Sequence, residues 1–152
     1  MNNITIRKAQ STDLEAIHNL VRELAVYEKA EPEFVATLAD YQNDFAAGVF
    51  NCHVATVDGQ VAGMALYYMT YSTWKGKMLY LEDFVVSESY RRLGLGQMLF
   101  DAFLEEAKKR ECRLVKWQVL DWNEPALHFY RKNNAVIEKE WWNGKIFLTQ
   151  LS

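Results

Sequence analysis

The chain has few cysteines and few histidines. Its two cysteines, Cys52 and Cys112, are too few for a disulfide framework and too widely spaced for a metal-binding motif. The three histidines are scattered and share no ligand spacing, so we expect no metal. This sparing use of cysteine fits a reducing compartment, and we predict a cytoplasmic protein.

Long apolar runs and an excess of one charge are also missing. No run of about 18 apolar residues indicates a membrane span. The first residues contain no apolar stretch of the kind that a signal peptide needs. The 17 basic and 20 acidic side chains give a net charge of −3, without a basic excess. We therefore expect neither a membrane nor a nucleic acid as a partner.

Apolar and aromatic residues are plentiful, at 50% and 14% of the 152 residues. This length predicts a single domain over residues 1–152 with enough apolar residues for a core. The periodicity predicts an α+β fold, with mostly antiparallel strands in the first half and helices interleaved around a central strand. The predicted elements include a helix with a capping box at Thr12–Glu15 that ends near Glu28, a helix over Ala36–Ala47, a hairpin turn at Asp58–Gly59, a strand over Leu114–Leu120, a helix capped by Asn123, and final strands at Ala135–Ile137 and Ile146–Leu151.

The rest of the chain can be arranged around the stretch Tyr80–Leu99. It begins as a strand of apolar and β-branched residues that nevertheless contains two adjacent carboxylates, Glu82 and Asp83. A glycine-bearing loop follows, and apolar residues then recur at helical spacing. Carboxylates within a strand are costly to place, so their presence needs a functional or structural reason.

The loop in this stretch has the features of a phosphate site. A helix N-terminus offers backbone N–H groups and the positive end of the helix dipole, and both suit phosphate oxygens. Gly94 and Gly96 allow close approach of the backbone, and Arg91 and Arg92 add positive charge. The spacing is neither that of a Walker loop nor that of the dinucleotide fingerprint. Taken alone, such a glycine pair also marks an ordinary turn.

The loop resembles the pyrophosphate-binding signature of the GCN5-related N-acetyltransferases, Arg/Gln-x-x-Gly-x-Gly/Ala, through Arg91, Gly94 and Gly96. Phe129–Ala135 is similar to the ending Phe-Tyr-x-x-x-Gly-Phe/Ala of that family, with Asn134 in place of glycine. The resemblance implies the fold of this family, a mixed, mostly antiparallel sheet flanked by helices, with splayed strands at the acetyl-CoA site. It also implies acetyl-CoA as co-substrate, bound by Phe84, Val85, Val86, Arg91, Arg92, Leu93, Gly94, Leu95, Gly96, Gln97, Asn123 and Tyr130.

Acetyl transfer to an amine needs a route for two protons. Only about one primary amine in 2,500 is neutral at pH 7, so a base contributes on the order of 4–5 kcal/mol. Glu82 is the candidate base, directly or through a water, and the alternative is that it pairs with a surface Lys or Arg. Tyr130 is the candidate acid for the departing thiolate, and the alternative is a core aromatic residue. We interpret Asp83, on the opposite strand face, as a structural hydrogen-bond acceptor.

Further segments, including Tyr67–Gly76 and Leu120–Pro125, resemble the spermidine/spermine acetyltransferase group of this family. The resemblance implies an acceptor site lined by Tyr27, Glu28 and Glu82, a small-molecule amine as substrate, and a homodimer.

The identity of the acceptor stays open, and the candidates are a diamine, a polyamine and a lysine-like amino acid. Ser72–Gly76 and Leu120–Asn123 also resemble a branch that prefers thialysine and related short amines. The acidic contact that the group has near the C-terminus falls at Trp142, which is apolar and bulky. This exchange favours a short amine over spermidine.

Two other functions compete with an amine acetyltransferase that works by direct attack in a ternary complex. An acetyl-CoA-binding sensor needs the loop but neither Glu82 nor Tyr130. An enzyme that modifies protein amines usually needs an open groove, whereas Pro32 and the aromatic segment Tyr67–Trp74 predict loops that narrow the site.

Overall fold

The structure, a computed structural model, describes residues 2–149. Two compact units make up the chain, Met1–Trp117 and Gln118–Ser152. The single domain over residues 1–152 therefore stays a prediction. Among residues 2–149, no helix has the length and apolar content that a bilayer-spanning segment requires.

A five-stranded mixed sheet forms the first unit. Its elements are β1 (Ile4–Lys8), α1 (Leu14–Tyr27), α2 (Leu38–Ala46), β2 (Asn51–Val57), β3 (Gln60–Ser72), β4 (Gly76–Val86), α3 (Leu95–Lys109) and β5 (Leu114–Trp117). The strands lie in the order β1-β2-β3-β4-β5. β1 to β4 pair antiparallel, and β5 joins β4 in parallel. The predicted α+β class with a mixed, mostly antiparallel sheet is confirmed.

Helices cover both faces of this sheet. Leu66 and Tyr67 are neighbours on β3, so their side chains point to opposite faces. Leu66 joins the apolar cluster of α1 around Ile17, whereas the Tyr67 ring lies 5.7 Å from the Phe103 ring of α3. Each fully buried apolar side chain of this kind contributes about 1.5–3 kcal/mol. The two cores together fix the sheet between α1 and α3.

The hairpin predicted at Asp58–Gly59 is confirmed. The turn residues have φ of +50° and +83°, which is the backbone that a two-residue turn between β2 and β3 requires. Asp58 also anchors the start of the chain, because its Oδ1 accepts a hydrogen bond from the Asn3 N–H at 2.9 Å.

The first predicted helix is confirmed as α1, which ends one residue before the predicted Glu28. The predicted capping box at Thr12–Glu15 is wrong. A short 3-10 turn at Ser11–Asp13 precedes α1, and Asp13 Oδ2 accepts a hydrogen bond from the Gln10 N–H at 2.7 Å. Arg7 of β1 donates to both Asp13 oxygens, at 2.8 and 3.0 Å. These bonds to Arg7 hold the pKa of Asp13 below its usual range. The box thus lies between Gln10 and Asp13, and a bidentate pair to a neighbouring strand reinforces it, which sequence spacing alone does not indicate.

The second unit contains the helix α4 (Glu124–Lys132). Asn123 caps it as predicted, since its Oδ1 accepts a hydrogen bond from the Ala126 N–H at 3.3 Å. Pro125 lies in the first turn, where its missing N–H costs nothing. Asn134 follows the helix with φ of +66°, which confirms that asparagine takes the left-handed position expected for glycine.

The final strands predicted at Ala135–Ile137 and Ile146–Leu151 are wrong as far as the described residues extend. No strand occurs from residue 133 to 149, and Leu151 lies outside the described part of the chain. Val136, Ile146 and Leu148 are exposed instead. A strand needs a neighbouring strand for its backbone N–H and C=O groups, and the described part of this unit contains no sheet.

Gly63 lies where β3 approaches both β4 and α3. A Cβ at this position would lie 3.0 Å from the Val85 carbonyl oxygen and 3.2 Å from Leu99 Cδ1. Because the first neighbour is backbone, we expect Gly63→Ala to lower the free energy of unfolding by about 1–3 kcal/mol, which thermal denaturation measures. Gly144→Ala is the matched control, since no atom lies within 4 Å of its Cβ position. Equal melting temperatures for both variants would contradict this account of Gly63.

Candidate active site

A β-bulge in β4 presents the Glu82 side chain. Asp83 pairs with Leu66 of β3, and Leu81 pairs with the next β3 residue, Tyr67. Glu82 is therefore an extra residue of β4 at which the register with β3 shifts. Bulges bend a strand and re-aim side chains, and they are common beside active sites. The bulge explains how β4 accommodates two adjacent carboxylates.

The pairing of β4 with β5 stops just before this bulge. The parallel ladder runs from Met78 and Leu114 to Leu81 and Trp117, and β4 beyond Leu81 is paired with β3 alone. The predicted splay of the strands agrees with this early end. The prediction that β5 extends to Leu120 is wrong, because a parallel ladder does not continue past the point where β4 bends.

Two tyrosines stand beside Glu82. The Tyr68 hydroxyl donates a hydrogen bond to Glu82 Oε1 at 2.6 Å, a distance typical of a bond to an ionised carboxylate. The Tyr68 ring stacks on Tyr80, with centroids 5.4 Å apart. Burial and the bond to Glu82 raise the pKa of Tyr68, so its hydroxyl remains a donor at neutral pH. Among the ion pairs of residues 2–149 none includes Glu82, so the alternative pairing with Lys or Arg is not found.

Three carboxylates, Glu28, Glu82 and Asp83, form what we term the carboxylate cluster. Burial, followed by the charges of Glu82 and Glu28, raises the pKa of Asp83 to about 7. Burial also raises the pKa of Glu28, the residue that follows α1. Burial and the charges of Asp83 and Glu82 raise the pKa of Tyr41 on α2. A cation bound at this cluster is attracted by the negative charge, and it in turn favours the ionised form of the carboxyl groups.

Asp83 differs from its interpretation as a structural hydrogen-bond acceptor. Within the described range, no hydrogen-bond donor contacts its carboxylate, whereas the other two cluster members surround it with negative charge. The fold therefore holds Asp83 in a site that disfavours its ionised form.

The glycine loop adjoins the end of β4, as predicted. A 3-10 turn at Glu88–Tyr90 leads into it, and the backbones of Arg92 and Gly94 are left-handed, with φ of +71° and +79°. Gly94 caps α3, whose first amides have no acceptor within the helix. The Arg91 side chain is exposed, and its Nε donates to the carbonyl of Val86, the last residue of β4, at 3.3 Å.

This geometry suits an anionic group such as a pyrophosphate. A left-handed backbone at Gly94 favours glycine, and a Cβ there would meet no neighbouring atom within 4 Å, so the requirement is one of conformation. At Gly96 a Cβ would lie 3.8 Å from the Phe84 ring, which is ordinary contact. Two exposed guanidinium groups and the N-terminus of a long helix then supply the charge.

The remaining predicted residues belong to other parts of the chain. Tyr27 lies at the end of α1, one residue before Glu28, and is partly exposed. Tyr130 is buried within α4, and Asn123 is its buried cap, both in the second unit. Their roles in the site stay predictions.

Sequence inspection missed Tyr41, Tyr68 and Tyr80. Tyr80 stands two residues before Glu82, and that spacing was a signal that both lie on one strand face. The contact of Tyr68 with Glu82 depends on the register between β3 and β4 and on the bulge. Neither can be predicted from a local sequence pattern.

The site combines a bulged strand, a glycine loop and a helix that follows it, in a mixed sheet whose β4–β5 pairing ends early. This is the arrangement expected for an acetyltransferase. Residues 14–135 match the acetyltransferase (GNAT) family, and the chain belongs to this family. The predicted family and fold class are therefore confirmed, and with them the acetyltransferase class of the protein.

Two relatives and one solved structure illustrate the similarity. Thialysine N-epsilon-acetyltransferase of Bos taurus is 36% identical over 152 residues, which cover 92% of this chain and 89% of that protein. Spermidine/spermine N(1)-acetyltransferase-like protein 1 of Homo sapiens is 32% identical over 145 residues, which cover 90% of this chain. The match includes only 21% of that human protein, so the chain spans about a fifth of its length. The aminoglycoside N-acetyltransferase AAC(6')-Iy, solved with CoA, shares the fold, with a TM-score of 0.78 at 18% identity over 95% of this chain and 96% of that one.

The raised pKa of Asp83 predicts a pH-dependent cost to stability. The folded-state pKa of about 7 lies above the usual value of about 3.9, so ionisation of Asp83 destabilises the fold as the pH rises through this window. We expect Asp83→Asn to melt at a higher temperature than the parent at pH 8, by about 2–4 °C or more, with a smaller difference at pH 5. Asp44→Asn, at an exposed position on α2, controls for the change of net charge. A difference that is the same at both pH values would show that Asp83 is not held in its neutral form.

Proposed function

We propose that the protein transfers an acetyl group from acetyl-CoA to a primary amine of a small molecule, by direct attack within a ternary complex. The observation that carries this proposal is the sequence of features along β4, where an exposed carboxylate on a bulge precedes a glycine loop that opens a helix. Membership of the acetyltransferase (GNAT) family supports the reaction class. When bound, acetyl-CoA supplies the acetyl group as a thioester.

The loop and the end of β4 bind the co-substrate. Arg91 and Arg92 neutralise the pyrophosphate, and the amides that open α3 donate to its oxygens. The left-handed backbone of Gly94 supports this assignment. The complete set comprises Phe84, Val85, Val86, Arg91, Arg92, Leu93, Gly94, Leu95, Gly96, Gln97, Asn123 and Tyr130.

Backbone N–H groups of β4 polarise the thioester carbonyl. The early end of the ladder with β5 supports this assignment, because β4 beyond Leu81 carries no parallel neighbour. Donors fixed in a strand need no reorganisation when charge develops on the carbonyl oxygen.

Glu82 removes the proton from the ammonium form of the acceptor, directly or through a water. As the amine nitrogen forms its bond to the acetyl carbon, the carbon–sulfur bond breaks and Tyr130 donates its proton to the thiolate. The second proton that the nitrogen loses after attack returns to Tyr130 through solvent, and Glu82 releases the first proton to solvent, so both residues are regenerated. A tyrosine with a pKa near 10 is suited to a thiolate whose conjugate acid has a pKa near 8.5. The hydrogen bond from Tyr68 supports the role of Glu82, since it restricts the carboxylate to one orientation.

The acceptor is a short amine with a second polar or charged group, such as a diamine, a polyamine or a lysine-like amino acid. The carboxylate cluster, with Tyr27 beside it, supplies the attraction for a cation. The name of the Bos taurus relative supports thialysine or lysine-like compounds, and that of the Homo sapiens relative supports polyamines. Trp142, where the resemblance places an acidic contact, favours the shorter acceptors.

The protein forms a homodimer and is cytoplasmic in this proposal. The described part of the second unit exposes several large apolar side chains in one segment, which supports an interface with a second copy. They are Val136, Trp141, Trp142, Ile146, Phe147 and Leu148. The cytoplasmic location rests on the sparing use of cysteine.

The test is a thiol-release assay with acetyl-CoA against spermidine, putrescine, thialysine, lysine and a lysine peptide. We expect fast release with one small amine, and we expect Tyr130→Phe and Glu82→Gln each to lower kcat at pH 7 by about 100-fold or more, because each removes one proton transfer.

The matched controls are Tyr71→Phe and Glu105→Gln, which change exposed side chains outside the proposed site and should keep kcat within about twofold. Tight binding of acetyl-CoA without release to any acceptor would favour a sensor. Faster release with the peptide than with every small amine would favour a protein-amine acetyltransferase.

A further inference from the structure

The turn that leads into the phosphate loop is held by a carboxylate of α1. The Glu88 N–H donates a hydrogen bond to Glu23 Oε1 at 3.0 Å. The Ser87 hydroxyl donates to Glu23 Oε2 at 3.4 Å. Glu23 thus contacts two consecutive residues that lie far from it in the chain, immediately after β4.

The turn Glu88–Tyr90 has no local side-chain cap. Ser87 occupies the N-cap position of the turn Glu88–Tyr90, but its side chain accepts no hydrogen bond from the turn. A serine at this position ordinarily accepts from an amide of the first turn. Glu23 instead accepts from the N–H of Glu88, the first residue of the turn, and a carboxylate that accepts from an amide forms a stronger bond than a neutral hydroxyl.

The backbone conformation of the loop that follows this turn depends on the position of the turn. Only residues 91–94 separate the turn from α3, and Arg92 and Gly94 have left-handed backbones. A non-glycine residue such as Arg92 keeps this conformation only when its surroundings impose it. The Ser87 N–H, bonded to the Ala62 carbonyl at 2.8 Å, fixes the turn to β3, and Glu23 fixes it to α1.

The same helix carries the proposed acceptor residues. Tyr27 follows Glu23 by one helical turn, so both lie on one face of α1, and Glu28 is the next residue. α1 is therefore bonded through Glu23 to the turn that precedes the phosphate loop, and the charge of Glu28 at its end acts on Asp83 of the carboxylate cluster.

We propose that Glu23 is a positioning residue, which sets the turn and loop of residues 87–94 for the pyrophosphate of CoA and ties this loop to the helix that bears the acceptor residues. The inference rests on the proposed function, because it takes residues 91–97 as the pyrophosphate site.

The experiment compares Glu23→Ala, Glu23→Gln and Glu15→Ala in the full chain. Glu15 is an exposed glutamate on the same helix, so its variant matches the change of charge. We expect Glu23→Ala to raise the Kd of CoA, measured by calorimetry, and the KM of acetyl-CoA about tenfold, with kcat at saturation within about twofold. For Glu23→Gln, the Kd of CoA and the KM of acetyl-CoA should lie between those of the parent and Glu23→Ala, because the amide oxygen of Gln still accepts from the Glu88 N–H. Glu15→Ala should match the parent.

Amide hydrogen exchange of the ligand-free protein separates this inference from the proposed function. We expect the peptide that covers residues 87–94 to exchange faster in Glu23→Ala than in Glu15→Ala, at unchanged melting temperature. Equal exchange and equal CoA affinity in these two variants would overturn the role of Glu23. Faster exchange in a protein whose parent does not bind CoA would refute the proposed function and, with it, the assignment of Glu23 to co-substrate binding.

Discussion

The hydrogen bonding of β4 changes at Leu81, and the candidate site depends on that change. From Met78 to Leu81 the strand is paired on both sides, and from Asp83 onward it is paired with β3 alone. The extra residue at Glu82 is what allows a carboxylate to leave the regular alternation of the strand. The same strand then continues into the turn and loop that open α3. One irregularity in one strand thereby sets the proposed base and the proposed phosphate loop next to each other in the chain.

Negative charge at the bulge has an energetic cost that the surrounding side chains reduce only in part. Tyr68 donates to Glu82, but the described structure supplies no cation to the carboxylate cluster, and the pKa of Asp83 rises to about 7. The protein is therefore less stable than its packing alone would allow, and the proposed binding of an ammonium group would offset this repulsion. Destabilised charge of this kind is typical of functional sites.

Local signals were sufficient for much of the fold. The apolar stripe of α1, the turn at Asp58–Gly59, the cap at Asn123 and the left-handed Asn134 all follow from short-range spacing, and all are confirmed. The family signature likewise lies within one short loop. These features depend on residues a few positions apart, which a sequence displays directly.

Other features depend on partners that are distant in the chain. Asp13 binds Arg7 of β1 and the backbone of Gln10, which displaces the predicted capping box, and Tyr68 reaches Glu82 only through the register of β3 and β4. Glu23 caps a turn that follows β4. The apolar residues after α4 have the composition of strands, but composition does not supply a strand to pair with. Each of these errors or omissions concerns the choice of a partner.

The central claim is that the loop from Arg91 to Gly96 binds a pyrophosphate, and calorimetry with CoA and with pantetheine tests it most directly. Pantetheine keeps the thiol and its arm but lacks the pyrophosphate. We predict that pantetheine binds at least about 100-fold more weakly, a difference of about 2.7 kcal/mol, and that added salt weakens only the binding of CoA. Equal affinities, or a CoA affinity that does not change with salt, would contradict the account.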